Sequence, residues 1–412
     1  MRKGPCVLGQ KKPKCFIVPA KVGPVGDGDT FQARIGGSRK LQIVRMTGIQ
    51  AMELSVYGRR KGREGECNGV EAAVALDKMI RHKKVRLVSQ QRNATTVGDR
   101  GRLRRSVQVR IGGRWVDPAY ELLKQGLVLW FPNGQEWAWN RKYSKLAAQM
   151  AAQGIGIWNP DSCGAGPGEG IPLSMKLKWD AEGSDAKNIN GEWVRISNLD
   201  PVRPLDLHRW WFRDSHLRPR LTFPAGAVIP PGESIKVHAG RGKNDADSFY
   251  WGLRESAWEN VSGGRKGMGD GGYLFDPQGD VRAFVQFPCR VGCREPLKDR
   301  VSMRATFRGM EYVTLRNISS SPLDLTYYEI ESVPWFYEFK RGTILQPGQR
   351  MVLYIGNGPA SRRGDLTANW GFKTGLLADR RDVVTLRNPL GAPVICHAWG
   401  KEKGTPLECP RV

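Results

Sequence analysis

Short stretches of alternating apolar and polar residues dominate the first part of the chain. A period of two places successive side chains on opposite faces of a β-strand. It predicts strands at 30–35 (TFQARI), 40–46 (KLQIVRM), 84–90 (KVRLVSQ) and 106–111 (SVQVRI). Apolar residues at helical spacing predict helices within 67–82, 117–126 and 140–153. Strands with helices between and after them favour a small barrel on which the helices pack.

The second part of the chain, residues 171–412, contains a weak internal repeat. The segment "PLDL" occurs at 204–207 and again at 322–325. Three more segment pairs recur at nearly the same spacing: GEWVRISN with GMEYVTLRN, IPPGES with LQPGQR, and YWGL with NWGF. Each unit reads as short alternating strands separated by Pro-Gly turns. This pattern is typical of an immunoglobulin-type β-sandwich.

These patterns predict a mainly β, multidomain fold, in which a β-barrel with helices precedes two immunoglobulin-like β-sandwiches. The predicted segments are an N-terminal cysteine-bounded tail (1–15), the barrel (16–160), a linker (161–172), and the two sandwiches (173–293 and 294–412). The linker is assigned from its turn-rich sequence, "SCGAGPGEG".

The charge of the chain is concentrated at its front. The formal net charge is +25, and residues 1–160 carry 30 Lys and Arg against 11 Asp and Glu. Such a density of positive charge favours a polyanionic partner, and we expect the first domain to bind DNA or RNA. No apolar stretch is long enough to span a bilayer.

The eight cysteines can pair without remainder. Three pairs are close in sequence, and the fourth joins distant residues: Cys6 with Cys15, Cys289 with Cys293, Cys396 with Cys409, and Cys67 with Cys163. Disulfides require an oxidising compartment, so we expect a secreted or cell-surface protein whose leader is not visible in this sequence. The alternative is a reduced cytosolic protein with scattered thiols. Zinc is not expected, because neither the cysteines nor the five histidines have metal-binding spacing.

The first domain contains charged residues of the kind that phosphodiester hydrolysis requires. Such sites use carboxylates to hold a metal ion, guanidinium groups on the phosphate oxygens and a base that orients water. Asp29 lies in the turn "GDGDTF", and Arg45 and Glu53 lie within "RMTGIQAME". Arg102 lies in the basic stretch "DRGRLRR".

At these residues the chain resembles the thermonuclease (staphylococcal-nuclease-like) family over roughly residues 18–158. The resemblance implies an OB-fold barrel and Ca²⁺-dependent cleavage of DNA or RNA. It also implies that Asp29 binds the metal, that Ala51 binds it through its carbonyl, and that Arg45 and Glu53 are catalytic. Arg102 matches the family's second arginine, with Arg104 or Arg105 as alternatives because the spacing is one residue short.

The match is imperfect at the metal site. Gln50 stands where the family has its second metal-binding aspartate, and Met52 replaces a proline. A glutamine can offer a carbonyl oxygen to Ca²⁺ but no charge. Even a net loss of a few kcal/mol would weaken Ca²⁺ binding by orders of magnitude. We therefore expect a weak calcium site, with Asp27 as a candidate substitute ligand.

The repeated units resemble the lamin-tail domain family over about residues 175–290 and 300–400. The repeated segments quoted above carry this resemblance, together with the closing turns "DPQGD" and "NPLGA". It implies β-sandwiches used for binding or attachment, with an unknown surface or protein partner and no catalytic residue.

Two functions follow from the sequence. The first is a secreted nuclease-like hydrolase with a weakened Ca²⁺ site. The alternative is a non-catalytic protein that binds nucleic acid or another polyanion and carries surface-attachment sandwiches. In both cases the aromatic residues near the barrel, including Trp115 and Trp130, either stack on bases or pack in the core.

Overall fold

A computed structural model of the 412-residue chain describes most of its length. The described residues are 2–54, 65–92, 102–181, 184–216, 219–258, 268–292, 295–359, 364–389, 393–402, 405–406 and 409. The chain forms two compact units. One unit comprises Met1–Met175 with Trp193–Gly292, and the other comprises Lys176–Glu192 with Cys293–Val412.

The N-terminal part of the first unit is a closed five-stranded barrel. Its strand order is β2-β3-β4-β7-β6, and β6 pairs back onto β2 to close the ring. The β4–β7 pair is parallel. The barrel strands and their neighbours are β1 (Arg2–Pro5), β2 (Lys14–Val25), β3 (Thr30–Ile35), β4 (Leu41–Met46), β5 (Ile49–Ala51), β6 (Lys84–Ser89), β7 (Leu103–Ile111), β8 (Arg114–Val116) and β9 (Val128–Trp130). This is the OB-type barrel expected from the sequence, and all four predicted strands are present.

Three helices pack on the barrel: α1 (Gly69–Ile80), α2 (Pro118–Lys124) and α3 (Asn140–Ala152). The predicted stops follow the last two, since Gly126 and Gly154 have φ of +65° and +63°. Glycine adopts this left-handed backbone without steric cost. The N-terminal segment predicted as a tail forms β1, which pairs with β2.

Apart from residues 176–178 at the end of β10, the strands of the first sandwich lie in the same unit as the barrel. Its strands are β10 (Leu173–Lys178), β11 (Trp193–Asn198), β12 (Leu205–Asp206), β13 (Trp211–Asp214), β14 (Leu221–Thr222), β15 (Val228–Ile229), β16 (Ser234–His238), β17 (Ser248–Tyr250), β18 (Asp270–Phe275) and β19 (Val281–Phe287). One sheet has the order β14-β13-β18-β19, and the other contains β11, β16 and β17 as neighbours.

A continuous apolar core joins the barrel to this sandwich. Trp158, just after α3, lies 4.8 Å from the ring of Phe284 and 6.0 Å from the ring of Tyr273 between centroids. Tyr273 and Phe275 of β18 belong to the same buried cluster as the barrel interior. The linker segment is also anchored, because the Cys163 amide donates to Asp280 Oδ1 at 2.8 Å.

The second sandwich repeats the strand order of the first. The sheet β24-β23-β28-β29 corresponds to β14-β13-β18-β19, and β21-β26-β27 corresponds to β11-β16-β17. Its strands are β20 (Val301–Thr306), β21 (Tyr312–Asn317), β22 (Leu323–Asp324), β23 (Glu329–Ser332), β24 (Trp335–Glu338), β25 (Ile344–Leu345), β26 (Arg350–Tyr354), β27 (Leu366–Asn369), β28 (Asp382–Arg387) and β29 (Pro393–Trp399), followed by β30 (Lys401–Glu402) and β31 (Thr405–Pro406). The internal repeat in the sequence is therefore a repeat of structure.

Three of the expected cysteine pairs are disulfides: Cys6–Cys15, Cys67–Cys163 and Cys396–Cys409. The fourth expected pair includes Cys293, which lies outside the described residues. None of the helices in the described ranges is long and apolar enough to cross a bilayer.

Candidate functional site

The turn between β2 and β3 holds Asp29 against the barrel wall. A Cβ atom on Gly28 would lie 2.5 Å from the Cβ of Ala72 and 2.8 Å from the Cβ of Ala51, so a larger residue would not fit without a shift. Asp29 itself is 3% exposed. Its Oδ2 accepts a hydrogen bond from the Ala51 amide at 2.6 Å. The turn therefore fixes the carboxylate beside β5.

Arg45, near the end of β4, forms a buried ion pair with this carboxylate. Its Nη1 lies 2.7 Å from Asp29 Oδ2, and its Nη2 donates to Gln50 Oε1 at 2.7 Å. The β3–β4 register, which pairs Thr30 with Arg45, places the guanidinium there. Arg45 is 6% exposed and Gln50 is 2% exposed. The structure thus brings together Asp29, Arg45 and Gln50, three of the residues that the sequence analysis assigned to one candidate site.

The orientation of the Gln50 amide is set by Arg45. A guanidinium has only donors, so the side-chain oxygen of Gln50 must face Arg45 and its nitrogen must face away. That nitrogen donates to the Ala51 carbonyl at 2.9 Å and lies 3.5 Å from Glu53 Oε1. The amide NH₂ thus lies between the Ala51 carbonyl oxygen and a carboxylate oxygen of Glu53.

Ca²⁺ does not fit this arrangement of donors and acceptors. A calcium ion needs six to eight oxygen ligands, but Arg45 already neutralises Asp29 and the Gln50 nitrogen already contacts the Ala51 carbonyl. An aspartate or glutamate at position 50 would offer a second acceptor oxygen instead. With Gln50 at this position, the acceptor oxygens are instead satisfied by Arg45 and by the amide nitrogen of Gln50.

We call the group formed by Asp27, Asp29, Arg45, Gln50, Glu53 and Glu66 the barrel cluster. Its carboxylates are crowded. Burial raises the pKa of Asp29, the positive charge of Arg45 lowers it, and the negative charge of Asp27 raises it further. Burial, followed by the negative charges of Asp29 and Glu66, also raises the pKa of Glu53. The Glu53 amide donates to Glu66 Oε2 at 2.8 Å. A carboxylate with a raised pKa is suited to proton transfer.

Of the three candidates for a second arginine, Arg104 is the one that lies beside Arg45. Arg104 is paired with Arg45 in the parallel β4–β7 register. Both guanidinium groups lie over the ring of Phe131, at 5.1 Å from its centroid for Arg104 and 6.0 Å for Arg45. Arg102, the residue chosen from spacing, precedes β7, and Arg105 is buried near Glu136. The register between β4 and β7 distinguishes these three arginines, and sequence spacing alone does not reveal that register.

The first sandwich also reaches this cluster. Arg213 of β13 is 3% exposed, and its Nη1 lies 3.8 Å from Glu66 Oε2. The positive charge of Arg213 lowers the pKa of Glu53, opposing the larger effect of burial. The ring of His216 contacts Phe131 edge-on, with centroids 4.7 Å apart. The sequence analysis missed Arg213 and His216 because they lie far along the chain in another predicted domain.

A second feature of the barrel is an outward-facing group of cationic side chains around a tryptophan, which we call the basic face. It consists of Lys21 on β2, Lys84 and Arg86 on β6, Arg110 on β7, Arg2 on β1 and Trp115 on β8. Lys21 and Lys84 are exposed and directly opposite in the β2–β6 register. Like charges in that position destabilise a sheet. Burial, followed by the nearby charges of Arg2 and Arg110, lowers the pKa of Arg86.

Trp115 gives the basic face an aromatic surface. The Arg86 guanidinium lies 3.6 Å from its ring centroid, and Arg110 is its partner in the β7–β8 register. Trp115 is partly exposed, whereas Trp130 and Trp139 are each 1% exposed in the core. Trp130 and Trp139 therefore pack in the core, whereas Trp115 keeps part of its surface exposed beside Arg86.

Comparison with known proteins identifies part of the chain. Residues 178–288 match the family model described as Lamin Tail Domain. No curated protein matches the chain. The first sandwich is thus a lamin-tail-like domain of immunoglobulin type, joined in one compact unit to a five-stranded OB-type barrel.

Proposed function

We propose that the N-terminal barrel binds nucleic acid through the basic face and needs no divalent cation to do so. The observation that carries this proposal is the basic face itself, where Lys21 and Lys84 oppose each other and Arg86 stacks on Trp115. An arrangement that destabilises the free protein becomes favourable when phosphates neutralise it. The aromatic ring adds a surface on which bases of a single strand can stack.

The geometry of the barrel cluster supports the proposal that binding needs no divalent cation. Arg45 and the Gln50 amide satisfy the acceptors that would otherwise hold a cation. In this role the cluster stabilises the barrel, and the basic face binds the ligand.

The test is binding of fluorescent single- and double-stranded oligonucleotides to the full chain, with Ca²⁺ or with a chelator. At matched ionic strength we expect binding in chelator to be at least as strong as in Ca²⁺, because Ca²⁺ competes for the phosphates. Trp115→Ala should weaken single-strand binding by about 1–3 kcal/mol, the usual value of one stacked base. Trp335→Ala, a partly exposed tryptophan in the second sandwich, is the matched control and should bind like the wild type. Loss of binding in chelator would refute the proposal.

The second candidate function is phosphodiester hydrolysis by the cluster. It is supported by the convergence of Arg45, Glu53 and Arg104, with Glu53 as the base that orients water. The same oligonucleotides, incubated and separated by size, test it. If the cluster is hydrolytic, Glu53→Gln abolishes product formation and Gln50→Asp increases it in Ca²⁺. If neither wild type nor Gln50→Asp forms product, the hydrolytic candidate is wrong.

We also propose that the protein resides in an oxidising, extracellular environment, as the three disulfides suggest. Alkylation of the protein as isolated from its native source, followed by mass measurement, tests this. Unmodified cysteines would support the proposal, and extensive alkylation would contradict it. The sandwiches are proposed to bind a surface or protein partner.

A further inference from the structure

Three potential metal ligands lie together in the first sandwich, beside the Arg213 and His216 contacts described above. Asp214 ends β13, His216 follows it, and Asp270 begins β18. One atom from each residue lies within 4.8 Å of the other two. Asp214 and Asp270 are 0% exposed, and the His216 side chain is 21% exposed. The cluster therefore combines two buried carboxylates with one accessible imidazole.

Backbone hydrogen bonds fix one oxygen of each carboxylate. Asp270 Oδ1 accepts from the Gly271 amide at 2.8 Å, and Asp214 Oδ1 accepts from the His216 amide at 2.9 Å. The other oxygens face the imidazole. His216 Nδ1 and Asp270 Oδ2 form a charge pair if the imidazole is protonated, but neither atom makes a well-oriented hydrogen bond among the described residues. Outer hydrogen bonds that orient ligands in this way are characteristic of metal sites.

The distances between ligand atoms favour a metal ion over a shared proton. His216 Nδ1 lies 3.3 Å from Asp270 Oδ2 and 3.4 Å from Asp214 Oδ2. A charge-assisted N–H···O bond is shorter than either distance, at about 2.7–2.9 Å. Two ligands about 2.1 Å from a tetrahedral zinc ion are about 3.4 Å apart. Both distances therefore match the edges of a zinc coordination tetrahedron.

We propose that Asp214, His216 and Asp270 form a binding site for Zn²⁺, with a fourth position open to a solvent molecule. Imidazole and carboxylate are ordinary zinc ligands, and three protein ligands with one open position is a common set. The ion would join the end of β13 to the start of β18. Arg213 lies next to Asp214 and donates to the His216 carbonyl at 3.3 Å. The same ion would therefore fix the arginine that reaches the barrel cluster.

The first test is the zinc content of the untagged full chain. The protein is stripped with chelator, dialysed against Zn²⁺ and analysed by elemental mass spectrometry. We expect one equivalent more in the wild type than in His216→Ala. His208→Ala, an exposed histidine in the same sandwich, is the matched control and should retain the full content. Asp270→Asn, which keeps the shape of the side chain, should weaken Zn²⁺ binding by more than about 100-fold in a chelator competition.

The second test uses only the wild type, in case the buried variants do not fold. Co²⁺ replaces Zn²⁺ in tetrahedral sites and produces intense visible absorption there. We expect this absorption on addition of Co²⁺ and its loss when one equivalent of Zn²⁺ is added. The proposal is overturned if wild-type protein holds no zinc after dialysis and gives no such absorption. It is equally overturned if a folded His216→Ala variant keeps the same zinc content.

Discussion

At the scale of single residues, the most informative feature of the barrel cluster is the side-chain amide of Gln50. Both amide atoms are used, because the oxygen faces Arg45 and the nitrogen faces Ala51 and Glu53. The sequence predicted which residues meet here, since spacing within "RMTGIQAME" limits their separation. It did not predict the direction of the amide, because that depends on which groups of Arg45 and Asp29 are already paired.

Changing Gln50 to glutamate should convert this cluster into a cation site. Without calcium, Gln50→Glu places two carboxylates and a carbonyl together, and the free energy of unfolding should fall by about 1–3 kcal/mol. With millimolar Ca²⁺, the melting temperature of the variant should rise while that of the wild type stays constant. Thermal denaturation with and without Ca²⁺ measures both effects.

The control for this prediction is Gln125→Glu, an exposed position after α2. It carries the same charge change on the surface and should show neither effect. A Ca²⁺-dependent rise in the wild type would contradict the role given to Gln50.

Asp117 gives a prediction for pH. Its Oδ1 caps α2 at the Tyr120 amide, and its Oδ2 accepts from the Tyr143 hydroxyl at 2.7 Å. Burial raises its pKa to about 6 from 3.8, although the hydrogen bonds lower it. The folded state thus binds the proton more tightly than the unfolded state, so stability from this group is present at low pH and is lost between about pH 4 and 6.

Asp117→Asn should remove that loss. We expect the free energy of unfolding of the variant, relative to wild type, to increase by up to about 3 kcal/mol between pH 4 and 7. Urea denaturation across this range measures the difference. Asp77→Asn, on the partly exposed surface of α1, should show no comparable change with pH. Parallel pH profiles for Asp117→Asn and wild type would contradict the prediction.

At the scale of elements, the spacing of apolar residues predicted the strands and helices of the barrel, but it did not predict which strands pair. The three helices appear where apolar spacing placed them, because each buries one face on the barrel. The pairing of β1 with β2 was not predictable, since "RKGP" has no alternating pattern. The parallel register that pairs Arg104 with Arg45 also depends on contacts far apart in sequence.

A substitution at Gly126 can test how tightly the backbone is packed where α2 ends. A Cβ there would lie 2.1 Å from the Ile155 carbonyl oxygen, whereas a Cβ on Gly113 would meet nothing within 4 Å. Both residues have positive φ, so an alanine at either should cost about 1 kcal/mol from backbone strain. Gly126→Ala should cost at least about 2 kcal/mol more than Gly113→Ala in chemical denaturation, because its Cβ also meets the carbonyl. Equal costs would show that the stop is loosely packed.

At the scale of the whole molecule, the barrel and the first sandwich share one compact unit. The sequence suggested separate domains because the segment between them is rich in turns. The sequence could not show that Trp158 packs on Tyr273 and Phe284. Contacts between residues so far apart in the chain produce no periodic pattern of apolar positions. The shared core is the reason that Arg213 can lie near the barrel cluster.

Removing the shared contact should affect both parts of this unit. Trp158→Ala creates a cavity in the common core, and we expect a loss of about 3–5 kcal/mol. Hydrogen exchange should then accelerate in peptides from β4 and from β18, while peptides from β21 and β26 exchange as in the wild type. Faster exchange confined to the barrel would contradict a shared core.

The central claim is that the basic face binds nucleic acid without a divalent cation. Its most direct test is the salt dependence of binding to a short DNA duplex in chelator, measured by fluorescence anisotropy for wild type and Arg86→Ala/Arg110→Ala. Each phosphate contact contributes about 0.9 to the slope of log K against log salt. We expect the double variant to bind more weakly, with a slope that is smaller by about 2. An unchanged slope and affinity would contradict the claim.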